Sequence, residues 1–194
     1  MIGRRLAIGG AIGTGVVGTA TLAAAALRGK PTVLHLQPLR PVALKAADTM
    51  TRVSPVKAAP AFSFVDDKGV RRTLADYAGK GIVLNFWATW CAPCVAELPS
   101  LVELSKGGAA DGFVVLPLSI DHGGAAVVGP WLARHGADSL PVLLDPGQQA
   151  AVTLGLRGVP TTFVIDRAGQ IRGLMEGEAD WSTPAARTAV RSLI

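Results

Sequence analysis

Residues 82–94 read Ile-Val-Leu-Asn-Phe-Trp-Ala-Thr-Trp-Cys-Ala-Pro-Cys, and this stretch decides the fold. The nearly continuous apolar run over residues 82–87 predicts a β-strand that is covered on both faces. The two cysteines follow directly, and apolar side chains then recur at helical spacing at Val95, Leu98, Leu101 and Val102. The stretch therefore predicts a buried strand, a cysteine pair and a helix in immediate succession.

The cysteine pair predicts redox chemistry. The chain holds two cysteines, Cys91 and Cys94, so no thiol remains for a structural disulfide framework. Cys91 at the helix N-terminus gains thiolate stabilisation from the helix dipole and from free backbone N–H groups, and Cys94 lies one turn later as the resolving thiol. Pro93 fits the first helical turn. A zinc site needs a second ligand pair, and His122 and His135 lack the usual spacing, so we expect no metal.

The remaining pattern predicts an α/β domain. A hairpin is expected around residues 66–69, strands at 113–120, 142–144, 161–165 and 170–174, and helices at 125–135, 148–154 and 181–194. Pro130 is expected to interrupt the first of these helices. A parallel strand-helix-strand unit lies at the centre of a mixed order of elements.

Positive charge is concentrated near the N-terminus. Residues 1–58 carry eight Lys or Arg and one Asp, which gives +7, whereas the whole chain carries +5. Residues 59–194 are therefore net negative by two charges, and the electrostatic case for a nucleic-acid binder fails.

An uncharged run of 22 residues, Leu6–Leu27, lies between Arg4-Arg5 and Arg28. As a helix it would span about 33 Å, enough for a bilayer core. A retained membrane anchor is the favoured interpretation; a cleaved signal, for which Arg4-Arg5 resembles a twin-arginine sequence, and a buried soluble helix are the alternatives. We therefore divide the chain into an anchor or export signal (1–30), a flexible, basic, proline-containing linker (31–58) and a folded domain (59–194).

Several motifs of the folded domain resemble one family. They are residues 85–94, the Glu97-Leu98-Pro99 that follows, the Gly158-Val159-Pro160-Thr161-Thr162-Phe163 segment, and Gly79-Lys80 before the central strand. Together they resemble the TlpA/ResA group of membrane-anchored thioredoxin-like thiol:disulfide interchange proteins, over residues 59–194. The resemblance implies a thioredoxin fold, with a central mixed β-sheet flanked by helices and an N-terminal β-hairpin extension.

The resemblance also assigns roles to residues. It gives catalysis to Cys91, Cys94, Glu97 and Pro160, and substrate binding to Trp90, Ala92, Pro93, Val159 and Thr161, with no cofactor. It implies a cis bond between Val159 and Pro160, which exposes the Val159 backbone to an extended substrate and keeps metal ions from the thiols. Trp90 is either an apolar lid over the pair or a packing residue.

Glu97 has two interpretations. In thioredoxin itself a buried Asp occupies the position of Asn85 and helps to move the proton of the resolving thiol, and Asn cannot titrate. Glu97 lies about one turn after Cys94 on the same helix face. From the residues alone, Glu97 is either a group that takes up and releases a proton during thiol exchange or a solvated carboxylate on the helix surface. The resemblance implies the proton-handling role. Trp181 ends the segment Gly-Glu-Ala-Asp-Trp, which resembles the corresponding segment of the TlpA group. The alternative is that Trp181 only packs against the last helix and fixes its position.

The expected function is a thiol:disulfide oxidoreductase that reduces protein cysteine pairs. Reducing members of the group carry Pro before the resolving cysteine, as Pro93 does here, whereas strong oxidants usually carry His. The alternatives are a general disulfide oxidase or isomerase, a peroxiredoxin, whose active thiol lacks the C-x-x-C, and a non-catalytic binding module.

The resemblance implies the cellular setting. It places the domain outside the bacterial cytoplasmic membrane, facing the periplasm or cell exterior as a single-pass monomer, with a membrane thiol carrier as electron donor. The clients would be copper-assembly proteins of cytochrome oxidase or apocytochrome c. Thr161, where cytochrome c specialists usually carry Glu, favours copper. The positive-inside rule points the other way, because Arg28, Lys30, Arg40 and Lys45 outnumber Arg4 and Arg5.

Overall fold

The strands and helices are formed by residues 44–194, the part of the chain that this computed structural model describes. The strands are β1 (Lys45–Ala46), β2 (Thr51–Ala58), β3 (Ser63–Asp66), β4 (Arg71–Thr73), β5 (Gly81–Trp87), β6 (Phe113–Ser119), β7 (Leu143–Leu144), β8 (Thr161–Ile165), β9 (Gln170–Glu176) and β10 (Ala179–Asp180). The α-helices are α1 (Ala92–Ser105), α2 (Gly108–Asp111), α3 (Ala125–Arg134), α4 (Gln149–Thr153) and α5 (Pro184–Arg191). The predicted anchor, Leu6–Leu27, lies outside the described residues.

Eight strands form one mixed sheet in the order β2-β9-β8-β5-β6-β7-β3-β4. β5 and β6 are parallel and are connected through α1, whereas β8 is antiparallel to both β5 and β9. This is the central mixed sheet of the predicted thioredoxin fold, and the prediction is confirmed. The parallel β5-α1-β6 unit brings the cysteine pair to the carboxyl end of the central strand.

The central strand β5 separates two apolar cores. All seven of its residues are buried, as the apolar run requires. Val83 and Trp87 pack into the core that contains α1, and Leu84 and Phe86 pack into the core on the other face. Because side chains alternate along a strand, Asn85 lies on the α1 side between Val83 and Trp87.

The predicted N-terminal hairpin is β3-β4. Its turn is closed by the Asp66 carboxylate, which accepts hydrogen bonds from the backbone N–H groups of Lys68 and Val70. Gly69 adopts a φ of 75°, which a residue with a side chain rarely takes. β3 also pairs with β7 and thereby joins the hairpin to the edge of the sheet.

The predicted linker, residues 31–58, extends too far, because its last eight residues belong to the folded domain. Thr51–Ala58 forms β2, an edge strand that pairs antiparallel with β9. Of its eight residues only Val53 is even partly buried, so no alternation of apolar and polar residues reveals it. Pro55 falls where the register shifts between Arg52 and Lys57, a position where an edge strand tolerates a missing N–H donor.

Helix α3 has the predicted extent to within one residue, but it is not interrupted. It continues from Ala125 to Arg134 across Pro130, so the expected interruption is wrong. Gly129 precedes the proline and has no Cβ to clash with the proline ring, which removes one of the steric conflicts that a proline causes inside a helix. α5 is shorter than predicted and begins after Thr183, whose hydroxyl accepts the N–H of Ala186. Within residues 44–194, no helix combines the length and the apolar character needed to cross a membrane.

Candidate active site

Cys91 and Cys94 form a disulfide at the N-terminus of α1. Cys91 is the N-cap residue, and its Sγ accepts the backbone N–H of Cys94 at 3.3 Å. The same sulfur lies 3.6 Å from the carbonyl oxygen of Val159. Cys91 is 6% exposed and Cys94 is 1% exposed. Cys91 is therefore the sulfur nearer to solvent, as the attacking role requires, and Cys94 is enclosed.

The loop before β8 lies against the disulfide. The bond between Val159 and Pro160 is cis, as the family resemblance implied. Val159 is half-buried and brings its carbonyl to Cys91. Thr161 is buried, and its hydroxyl donates to the carbonyl of Gly158, 2.7 Å away. The Thr161 side chain thus stabilises the loop. If Thr161 binds substrate as predicted, it would do so through its backbone.

An apolar groove of about 390 Å³ opens beside the cysteines. Its walls include Trp90, Ile120, Val152, Leu156 and Val159. The Trp90 side chain is 66% exposed and Val152 is 77% exposed. Among the other predicted contact residues, Ala92 is exposed and Pro93 half-buried. Exposed apolar surface next to a redox-active disulfide suits an extended protein segment as substrate.

A carboxylate clamps the loop that enters the site. Asp121, just after β6, accepts the backbone N–H of Thr89 at 2.9 Å and the Thr89 hydroxyl at 2.6 Å. It also accepts the hydroxyl of buried Ser119 at 2.8 Å. These contacts join the ends of β5 and β6 two residues before Cys91. Sequence reasoning missed Asp121, because the contact spans 32 residues and follows no local motif.

Glu97 is completely buried at the centre of a hydrogen-bond network, so it is not a solvated helix carboxylate. Oε1 accepts the side-chain amide of Asn85 at 2.7 Å. Oε2 accepts the backbone N–H of Ala179 at 2.9 Å and the indole N–H of Trp181 at 3.4 Å. Trp181 is itself buried, so it both packs in the core and contacts Glu97.

Burial dominates the protonation of Glu97. Desolvation raises the pKa of this carboxyl from 4.5 to about 7, and the nearby charge of Glu178 acts in the same direction. The hydrogen bonds from Ala179, Asn85 and Trp181 lower the pKa but do not overcome burial. A carboxyl group that titrates near neutral pH can take and return a proton during thiol exchange.

The contacts from β10 and the role of Thr162 are the parts of the network that sequence reasoning missed. The Thr162 hydroxyl lies 2.9 Å from the Asn85 amide nitrogen. Its neighbour Thr161 was singled out instead, because only Thr161 directly follows the cis-proline. The Gly-Glu-Ala-Asp-Trp segment is the sequence feature that could have pointed to β10. It does not indicate that the backbone N–H of Ala179 binds Glu97.

Comparison with known proteins agrees with this geometry. The family model described as "AhpC/TSA family" matches residues 55–174. The chain belongs to the AhpC/TSA family. A thiol-disulfide oxidoreductase, ResA, from Geobacillus kaustophilus is 34% identical over 127 residues, which cover 66% of this chain and 72% of that relative. ResA from Bacillus thuringiensis is 37% identical over 122 residues, covering 63% of this chain and 69% of the relative.

Solved structures show the same fold for this AhpC/TSA family member. The pneumococcal exposed lipoprotein thioredoxin from Streptococcus pneumoniae is 33% identical with a TM-score of 0.59, covering 69% of this chain and 100% of that chain. A thiol:disulfide interchange protein from Chlorobium tepidum is 29% identical with a TM-score of 0.56, covering 71% of this chain and 99% of that chain. The protein is thus a thiol-disulfide oxidoreductase whose substrates are protein thiols and disulfides.

The arrangement supports two-step exchange. In the reducing direction, the Cys91 thiolate would attack one sulfur of a substrate disulfide, whose S–S bond would break as the other substrate sulfur leaves and takes up a proton. Cys94 would then lose its proton and attack Cys91 Sγ, which would form the disulfide seen here and release the second substrate sulfur. Two electrons would pass from the protein to the substrate in this direction, and the reverse sequence would oxidise a substrate dithiol. Glu97, one helical turn after Cys94, is our candidate acceptor for the Cys94 proton.

Proposed function

We propose that this protein is a membrane-tethered reductant of cysteine pairs in extracytoplasmic proteins, acting as a monomer in copper-centre assembly of cytochrome oxidase. Apocytochrome c is the second client class. The observation that carries the proposal is the Cys91–Cys94 disulfide at the start of α1, beside cis-Pro160 and above a buried Glu97. This combination suits a dithiol that cycles at neutral pH.

The surroundings of Cys91 favour reduction over oxidation. A strong oxidant draws its potential from a highly stabilised thiolate, which makes the dithiol form the favoured one. The Cys91 sulfur here meets one backbone N–H, from Cys94, and the carbonyl oxygen of Val159. The partial negative charge of that oxygen opposes a thiolate. Pro93 before the resolving cysteine supports the same direction.

Leu6–Leu27 and the basic residues around it support the tether. A domain held at the outer face of the cytoplasmic membrane would stay close to a membrane thiol carrier, the proposed source of electrons, and to membrane-bound clients. The S. pneumoniae relative is named an exposed lipoprotein thioredoxin, which is consistent with an extracytoplasmic setting for related proteins.

Two sequence features favour copper-centre clients. Thr161 stands where specialised cytochrome c reductants usually carry Glu, and the Gly-Glu-Ala-Asp-Trp segment is similar to TlpA. The latter segment includes Ala179 and Trp181, which bind Glu97. Copper loading and haem attachment both require free thiolates in a compartment where oxidants close cysteine pairs, so a dedicated reductant is needed there.

The test is deletion of the gene, with haem-stained c-type cytochromes and oxidase activity measured in the same cells. We expect loss of oxidase activity with c-type cytochromes retained, and restoration by the wild-type chain but not by Cys91→Ser. Loss of c-type cytochromes with copper-competent oxidase subunits would contradict the copper role. Absence of both defects would contradict the whole proposal, including the reductant role in assembly.

A further inference from the structure

The Asn85 side chain is buried between β5, α1 and β8 with only one of its ends paired. Its Nδ2 donates to Glu97 Oε1 at 2.7 Å and to Thr162 Oγ1 at 2.9 Å. Its Oδ1 is buried and accepts no hydrogen bond from any residue between 44 and 194. Buried polar atoms are rarely left unpaired in folded proteins, so this oxygen calls for an explanation.

The carboxylate and the carboxylic acid forms of Glu97 need different partners. As a carboxylate, Glu97 only accepts, and the donors of Asn85, Ala179 and Trp181 suit it. As an acid, it must donate one O–H. Oε2 faces a backbone N–H and an indole N–H, neither of which can accept. The protonated oxygen must therefore be Oε1, opposite the Asn85 side chain.

Asn85 can supply that acceptor by a half-turn of its carboxamide, which exchanges the positions of Nδ2 and Oδ1. Oδ1 would then accept the O–H of Glu97. The Thr162 hydroxyl suits both arrangements, since it can accept from Nδ2 or donate to Oδ1. An Asp at this position would instead place a second carboxylate against Glu97, and like charges at such a distance oppose ionisation.

We propose that Asn85 is a positioning residue that holds Glu97 in both protonation states by exchanging its amide and carbonyl ends, with Thr162 as the common partner. One proton is gained or lost, at Glu97 Oε1, and no other bond is made or broken. The inference concerns the site used in the proposed function, but it rests on the contacts of Asn85 and on the titration of Glu97. It can therefore fail while the reductant role stands.

The other charged groups near Glu97 have partners of their own or act on Glu97 only through their charge. On the segment that leads into β10, Glu178 raises the pKa of Glu97 by its charge. In β10, Asp180 accepts the backbone N–H and the hydroxyl of Ser182, and from β1 the Lys45 ammonium donates to the Glu176 carbonyl. On α1, Glu103 is exposed and forms an ion pair with Lys106. The thiols of Cys94 and of Cys91, the N-cap residue of α1, are joined as a disulfide here and do not titrate.

The experiment exploits the fact that Asn85 is the only asparagine in the chain. Selective labelling of asparagine with ¹⁵N in the full-length oxidised protein, kept in detergent, yields one side-chain amide group to follow by NMR. Nuclear Overhauser contacts from its two protons to the Thr162 methyl and Hβ are measured from pH 5 to pH 9. The Glu97 carboxyl ¹³C signal is followed in parallel to record its titration.

We expect strong Overhauser contacts between the Asn85 amide protons and Thr162 at pH 9. Their intensity should fall at least severalfold at pH 5, and the midpoint of this change should coincide with the midpoint of the Glu97 titration. In Glu97→Gln the contacts should not change with pH, since nothing at the site titrates. Thr161→Val, which removes the neighbouring β8 hydroxyl, should leave the midpoint where it is. Constant contacts while Glu97 titrates, or no titration of Glu97 between pH 5 and 9, would overturn the inference.

Discussion

Glu97 shows how burial and hydrogen bonding compete at one residue. Three donors favour its carboxylate, yet the cost of removing the charge from water is larger and raises its pKa to about 7. Because the folded chain holds this proton more tightly than an exposed carboxyl does, Glu97 favours folding at low pH. That contribution declines as the pH rises from 4.5 to about 7 and is fully lost above it.

The first prediction concerns this linkage in the oxidised protein. Relative to Glu97→Gln, the wild type should lose about 3 kcal/mol of unfolding free energy between pH 4.5 and pH 8, since an uncharged Gln has no proton to lose. Urea unfolding of both proteins across this range measures the difference, and other titrating groups cancel in it. A difference that is constant with pH would show that Glu97 titrates normally.

The second prediction separates the roles of the cysteines. Cys91 is the more exposed sulfur and caps α1, so it should attack, and Cys94 should resolve. Cys94→Ser should then accumulate a mixed disulfide with a protein substrate, whereas Cys91→Ser should not. Non-reducing electrophoresis after incubation with a disulfide-containing substrate measures the adduct. Accumulation by Cys91→Ser alone would mean that the roles are reversed.

At the scale of elements, the site is assembled where β5, β6 and β8 end or begin. The Asp121 carboxylate holds the β5-α1 loop through two hydrogen bonds from Thr89. Loss of a partly buried acceptor with two donors costs about 1–3 kcal/mol. The position of Trp90 and Cys91 therefore depends on Asp121, although Asp121 lies outside α1.

The third prediction is that Asp121→Ala lowers the unfolding free energy by about 1–3 kcal/mol and slows insulin reduction, because the loop before Cys91 loses its clamp. Asp121→Asn is the matched variant: it keeps one acceptor oxygen and should lose less of both. Urea unfolding and insulin turbidity measure the two effects. Wild-type stability and rate in Asp121→Ala would show that the loop is held by backbone contacts alone.

The elements that could be predicted are those that local patterns encode. The buried run of β5, the cysteine pair and the apolar spacing of α1 are contiguous, so the sequence places them without tertiary information. β2 was missed because its side chains are largely exposed and it carries Pro55. The contacts of Glu97 with Ala179 and Trp181 span more than 80 residues, and only folding brings these groups together.

At the scale of the whole molecule, the basic N-terminal part and the net negative remainder suggest a chain divided between membrane and domain. The fourth prediction is that alkaline phosphatase fused after Ile194 is active, since it folds only outside the cytoplasm. A green fluorescent protein fused at the same point should stay dark after Sec export, and serves as the matched reporter. Fluorescence with inactive phosphatase would place the domain in the cytoplasm, as the positive-inside rule alone suggests.

In the proposed function, Cys91 and Cys94 form a reductant. The direct measurement is the midpoint potential of this couple at pH 7, obtained by equilibrating the protein with glutathione or dithiothreitol buffers. We expect a value near that of thioredoxin, about −270 mV, because the Cys91 sulfur accepts the backbone N–H of Cys94 but also faces the carbonyl oxygen of Val159. A value near −120 mV, typical of a strong disulfide-forming oxidant, would contradict it.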